Sequence, residues 1–98
     1  MLEVPTQLVD WRCDLEARDS ARNIARAYRV SATQDLFGHW IVDLSWGRIG
    51  TAGSGLSVSF ACPIAARRFV ERTLARRASA PRRLGVEYRP TTEMAALG

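Results

Sequence analysis

The sequence contains no lysine; all fourteen of its basic residues are arginine. It has one histidine, His39, and two cysteines, Cys13 and Cys62, far apart in the chain. One histidine and two distant cysteines do not make a zinc site, so no metal is expected. A Ser–His–Asp arrangement cannot be argued from one exposed histidine beside a strand. With no convincing catalytic pair of carboxylates either, the expectation is a protein that is not an enzyme and carries no cofactor. No apolar run approaches the ~20 residues of a membrane span. Residues 1–10 lack the basic start and apolar stretch of a secretory signal. A cytoplasmic protein with no membrane partner is therefore expected, and its cysteines read as buried thiols rather than a disulfide.

Ninety-eight residues suffice for one domain and not for two. Hydrophobic residues at 47% give such a domain its own core without help from disulfides. The net charge of +4 suits a polyanionic partner, and arginine in particular forks onto phosphate. The charge is unevenly spread. Residues 1–61 carry six arginines and seven acids, whereas residues 62–90 carry eight arginines and two acids. The excess therefore sits in one C-terminal stretch.

Periodicity sets the element order. Val9, Trp11, Cys13, Leu15 and Ala17 alternate with Asp10, Arg12, Asp14 and Glu16, which predicts a half-buried strand followed by a turn at Asp19-Ser20. A second strand is predicted over 25–33, with Tyr28, Val30 and Ala32 on one face. A loop over 34–38 leads to a third strand from His39, with Trp40, Val42 and Leu44 inward. Gly53-Ser54-Gly55 signals a hairpin turn. Leu56, Val58 and Phe60 then alternate in a fourth strand. From Pro63 the period changes: Ala66, Phe69, Val70 and Leu74 mark an amphipathic helix that Pro81 bounds. Arg67 and Glu71 are spaced to pair on it. A short final strand is predicted at 86–88. The fold class is thus α+β, an antiparallel sheet of four to five strands with one amphipathic helix on one face. Residues 1–7 read as a flexible lead-in, 8–90 as the domain and 91–98 as a disordered tail.

Trp46-Gly47-Arg48-Ile49-Gly50 resembles the signature of the WGR family, found in poly(ADP-ribose) polymerases and as short bacterial proteins. The flanking residues strengthen the likeness. Asn23–Val30 is similar to the family's Asn-bearing turn and Tyr-containing strand, and Asp35-Leu36-Phe37-Gly38-His39-Trp40 to the loop and Trp-bearing strand of its bacterial branch. Ala66, Phe69, Leu74, Gly85 and Tyr88 follow in similar order, so the resemblance spans roughly 11–89. The sequence departs from the family at Ser20 and Ala27. The resemblance implies a nucleic-acid-binding module in which Trp46 packs on a terminal nucleotide and Arg48 engages the backbone.

The candidate binding residues are Trp46, Gly47, Arg48, Arg82 and Arg83. On periodicity alone Trp46 belongs to the core; the resemblance turns it toward a ligand, and a bulge at Gly47 would re-aim it. Gly47 and Gly50 serve either close approach to a ligand or strand twist. Arg48 is either a phosphate contact or an exposed side chain paired with Asp43. Arg82 and Arg83 lie in a loop with no nearby acid, which favours binding. Arg68, Arg72 and Arg76 share one helix face and read as a solvated surface. Asp10, Asp14 and Glu16 form an acidic patch that nucleic acid would avoid. Residues 50–55 resemble a phosphate loop but lack the lysine and the following helix. The expected partner is nucleic acid, DNA rather than RNA, with ends or nicks as candidate targets. The alternative is a protein–protein module that recruits or regulates a separate enzyme. The sequence leaves the oligomeric state open.

Overall fold

The computed structural model describes residues 10–81 and 85–91. The chain runs β1 (Trp11–Asp19), a 3-10 turn (Ser20–Arg22), β2 (Ile24–Gln34), β3 (Trp40–Arg48), β4 (Ser54–Phe60), α1 (Pro63–Ala78) and β5 (Arg89–Pro90). The strands form one antiparallel sheet in the order β4-β3-β2-β1-β5. Consecutive strands β1 to β4 are neighbours, as short hairpins dictate.

Alternation along each strand decides the core. Trp11, Cys13 and Leu15 of β1, Tyr28, Val30 and Ala32 of β2, and Val42 and Leu44 of β3 all point to one face. Ala66, Val70 and Leu74 of α1 close over them. Each large aliphatic side chain buried there contributes about 1.5–3 kcal/mol. Phe60 and Phe69, with ring centroids 5.3 Å apart, seal the β4 side. Pro63 begins α1 without loss, because its missing N–H lies in the first turn. Arg76 and Arg77 end the helix, where cations suit its dipole. The predicted Arg67–Glu71 pair forms, at 3.2 Å.

The opposite face stays open and is laced with ion pairs. Asp14 accepts from both Arg12 (2.9 Å) and Arg29 (2.7 Å), and Glu16 accepts from Arg18 (3.0 Å). Asp14 and Glu16 of the predicted acidic patch are thus bridged by arginines, because cross-strand and alternate positions bring the two signs together.

Other expectations shift. The final strand lies at Arg89–Pro90, where it pairs with Glu16 and Leu15, not at 86–88. The Thr91 amide donates to Asp14 O at 3.0 Å, so this residue, assigned to the tail, still belongs to the sheet edge. The β3–β4 turn is tighter and earlier than Gly53-Ser54-Gly55. The Thr51 amide and hydroxyl both donate to Arg48 O, and Ser54 and Gly55 already belong to β4. Neither cysteine forms a disulfide, and only Cys13 is buried; Cys62 is exposed at the N-cap of α1. Residues 1–7 and 92–98 lie outside the described residues. No described helix is long and apolar enough to cross a membrane.

Candidate nucleic-acid interface

Burial falls along β3 as the strand leaves the cover of the helix. Val42 is 0% exposed, Leu44 9% and Trp46 39%, all on the same face. No bulge intervenes. The pairing of β3 with β2 runs unbroken from Gln34↔Trp40 to Arg26↔Arg48, and its pairing with β4 from Trp40↔Phe60 to Trp46↔Ser54. Trp46 therefore occupies the apolar face that periodicity assigns it and still reaches solvent. The re-aiming bulge is not needed, because the sheet extends past the packed core.

Gly47 has a different task. A Cβ there would stand 2.7 Å from the Gly53 Cα, so the glycine lets the two arms of the β3–β4 turn close on each other. Gly53, with φ +65°, completes that approach, since a side chain at this position would collide with the Trp46 carbonyl. The signature glycine thus fixes the backbone that carries Trp46.

Trp46 leans on its cross-strand partner Tyr28, with ring centroids 6.5 Å apart and planes 27° from parallel. Tyr28 is buried beneath Arg77, whose guanidinium carbon lies 3.9 Å from the Tyr28 ring centroid. Tyr88 meets Tyr28 edge-on at 6.5 Å. Burial pushes the Tyr28 phenol above its ordinary pKa, and Arg77 opposes the rise by charge and hydrogen bond. The Arg77 Nε is buried without a hydrogen-bond partner. The aromatic ring face therefore takes up a guanidinium that pairs with no acid among the described residues.

Arg48 is held by neutral acceptors. It donates to Asn23 Oδ1 at 2.9 Å and to Asn23 O at 3.4 Å. Asn23 presents both oxygens from a left-handed conformation, φ 55°, which asparagine tolerates better than most residues. Pairing with Asp43 is excluded by parity, because Asp43 and Arg48 point to opposite faces of β3. Arg26 stands directly beside Arg48 across the β2–β3 pair, and both are exposed. Like charges in such a position repel, and Arg26 forms no ion pair with a described residue.

These groups line a groove of about 370 Å³ on the helix-side face, walled by Arg26, Trp46, Gly47, Arg48, Arg77 and Tyr88. No carboxylate among the described residues lines it. A second hollow of about 340 Å³ lies on the open face across Gly47 and includes Asp14 and Glu16. Trp46, Gly47 and Arg48 border both, but the first adds Arg26 and Arg77 where the second has Asp14 and Glu16.

Of the sequence candidates, the structure brings Trp46, Gly47 and Arg48 together. Arg82 and Arg83 lie outside the described residues. Arg68, Arg72 and Arg76 are exposed along α1, as expected of a solvated face. Sequence reasoning did not single out Arg26 and Arg77 as binding residues, and took Tyr88 as part of a short strand and of the family resemblance, not as a groove residue. Two signals were available. Arg26 continues the inward series Tyr28, Val30, Ala32 by one step, and Arg77 continues the helix stripe Val70, Leu74 by three residues.

No curated protein and no solved structure matches the chain. The family model for the WGR domain matches residues 11–80, which covers β1 through α1 and the whole groove except Tyr88, and the chain belongs to that family.

Proposed function

We propose that this WGR domain binds nucleic acid, DNA in preference to RNA, through the groove around Trp46. The observation that carries the reading is the convergence of Arg26, Arg48 and Arg77 on a half-exposed indole with no carboxylate among the described residues of the lining. An indole face covers a sugar or base, and the guanidinium groups take phosphate oxygens, the natural relief for two arginines held side by side. Trp46 lies at the open end of the sheet, so a strand end or nick, whose terminal nucleotide is not stacked on both sides, is the favoured target. Binding without chemistry is the function inferred, in a reducing compartment such as the cytoplasm, which suits two cysteines outside any disulfide.

Fluorescence anisotropy on labelled blunt, nicked and end-blocked duplexes, with a matched RNA duplex, tests this at low and moderate salt. Free ends or nicks are expected to bind tightest. Trp46→Ala and Arg48→Ala are each expected to cost about 1–3 kcal/mol. Equal binding by wild type and both variants, or none by any, overturns the proposal.

One observation favours a second reading, a protein-binding module. Leu36 and Phe37 are 100% and 87% exposed at the tip of the β2–β3 hairpin. Their turn is held firmly. Asp35 Oδ1 accepts from the Phe37 and His39 amides, both at 2.9 Å, and the Asp35 amide donates to His39 O. A rigid turn that offers two large apolar side chains is suited to anchoring in a partner's pocket. It lies at the far end of β3 from Trp46, so both functions fit one domain. A partner that co-purifies with wild type and is lost in a Leu36→Ser, Phe37→Ser double variant, with DNA binding intact, establishes this role.

A further inference from the structure

The longest uncharged stretch of the chain runs from Ile49 to Ala66, and the edge strand β4 lies wholly within it. Edge strands expose a row of unpaired amides and carbonyls, and proteins ordinarily guard them with charge, proline or a bulge. β4 has none of these. Its sequence is Ser-Gly-Leu-Ser-Val-Ser-Phe, it pairs with β3 without interruption, and nothing among the described residues pairs with its outer edge.

We propose that the outer edge of β4 pairs with β4 of a second copy of this chain, giving a two-fold dimer with a continuous ten-stranded sheet. The occupant follows from the strand itself. In an antiparallel pair about a two-fold axis, paired residues share a face, and the register that engages all seven residues centres on Ser57. That register sets Leu56 of each copy beside Val58 of the other, on the face that α1 covers. Leu56 is 50% exposed in the single chain, and Val58 is half-buried, so the contact removes apolar surface from water. On the open face Ser57 meets its symmetry mate and Gly55 meets Ser59, small residues that leave the backbones free to approach. An unrelated peptide would find no charge and no deep pocket along β4 to select it, whereas a second copy supplies matched side chains at every step. Because the axis stands perpendicular to the sheet, both grooves would open on the same face, at opposite ends. The proposal does not depend on what those grooves bind.

The test is the solution mass of the full chain by analytical ultracentrifugation from micromolar to sub-millimolar concentration. Wild type is expected to approach twice 10.9 kDa as concentration rises. Ser57→Lys is expected to remain at 10.9 kDa, since the new ammonium faces Asp43 within one copy but its own mate across the axis. A second arm fixes the register in a Cys62→Ser background. Ser57→Cys is expected to give a covalent dimer with a short bismaleimide. Ser59→Cys, whose two copies would lie several residues apart along the strands, is not. A wild type that stays at 10.9 kDa throughout overturns the proposal. So does a dimer that Ser57→Lys leaves intact and Ser57→Cys fails to cross-link, which would place the interface elsewhere.

Discussion

At the scale of single residues, the interface separates side chains that hold the fold from those that await a ligand. Trp46 gives up only part of its surface to Tyr28, so Trp46→Ala is expected to lower DNA affinity about 10- to 100-fold, the loss of one stacked base. Its melting temperature should fall by only a few degrees, because no closed cavity forms. Titration calorimetry and thermal denaturation of the same sample separate the two effects. Arg26→Ala carries the opposite sign in the free protein. Removing one of two adjacent guanidinium groups relieves repulsion, so stability should hold or rise slightly while affinity falls. The cysteines test burial directly. Burial, with help from the Asp14 charge, pushes the Cys13 thiol up to about 11, whereas Cys62 is exposed. A colourimetric thiol assay should count one reactive thiol in the native protein at neutral pH and two in denaturant. Alternation along β1 already pointed Cys13 inward, whereas Cys62, between the end of β4 and Pro63, sits where no period assigns a face. Only the fold shows that Cys62 stands exposed at the N-cap position of α1.

At the scale of elements, β1 to β3 and α1 were legible because each has a clean period and one buried face, and β4 because it keeps the period although it only half-buries Val58 and Phe60. The turns were not, since their geometry depends on contacts across the hairpin. Gly47 shows the difference. From the sequence it suggests a bulge, whereas in the fold it makes room for Gly53. Gly47→Ala should therefore weaken DNA binding without touching the ligand, by forcing apart the arms that position Trp46. Loss of the tryptophan's native emission shift, in parallel with affinity, would check that cause. The β2–β3 hairpin gives a pH prediction. The His39 amide, then the Phe37 amide and the His39 ring, hold the Asp35 carboxyl below its ordinary pKa. A depressed native pKa means that the stabilisation is complete above the unfolded value, about 3.9, and is lost as pH falls through the lower native one. Amide exchange at Phe37 and His39 should accelerate over that acid range, and Asp35→Asn should abolish the dependence.

At the scale of the molecule, the charge pattern along the sequence and the pattern in space tell different stories. The chain concentrates its excess arginine after residue 61. In the fold, three acids of the N-terminal half pair close to home: Asp14 with Arg12 and Arg29, Glu16 with Arg18, Asp19 with Arg22. Such exposed pairs add little stability, about 0–1 kcal/mol each. They do decide where positive charge remains. Arg26 and Arg48, from the half that is net acidic, stay unpaired with carboxylates among the described residues because alternation sends them to the face opposite Asp14 and Glu16, while Asp19 is held by Arg22. Arg77 joins them from the helix. This face-by-face sorting needs the register of three elements at once, which no local reading of charge supplies. It also predicts which arginines count. The logarithm of affinity should fall with the logarithm of salt by about 0.9 for each phosphate neutralised. Arg26→Gln and Arg48→Gln should each flatten that slope by nearly one such step. Arg12→Gln and Arg18→Gln, already spent on carboxylates across the sheet, should leave it unchanged despite the same loss of net charge. A slope that tracked net charge alone, whichever arginine was removed, would mean that the groove does not select the phosphate and that attraction is spread over the whole surface.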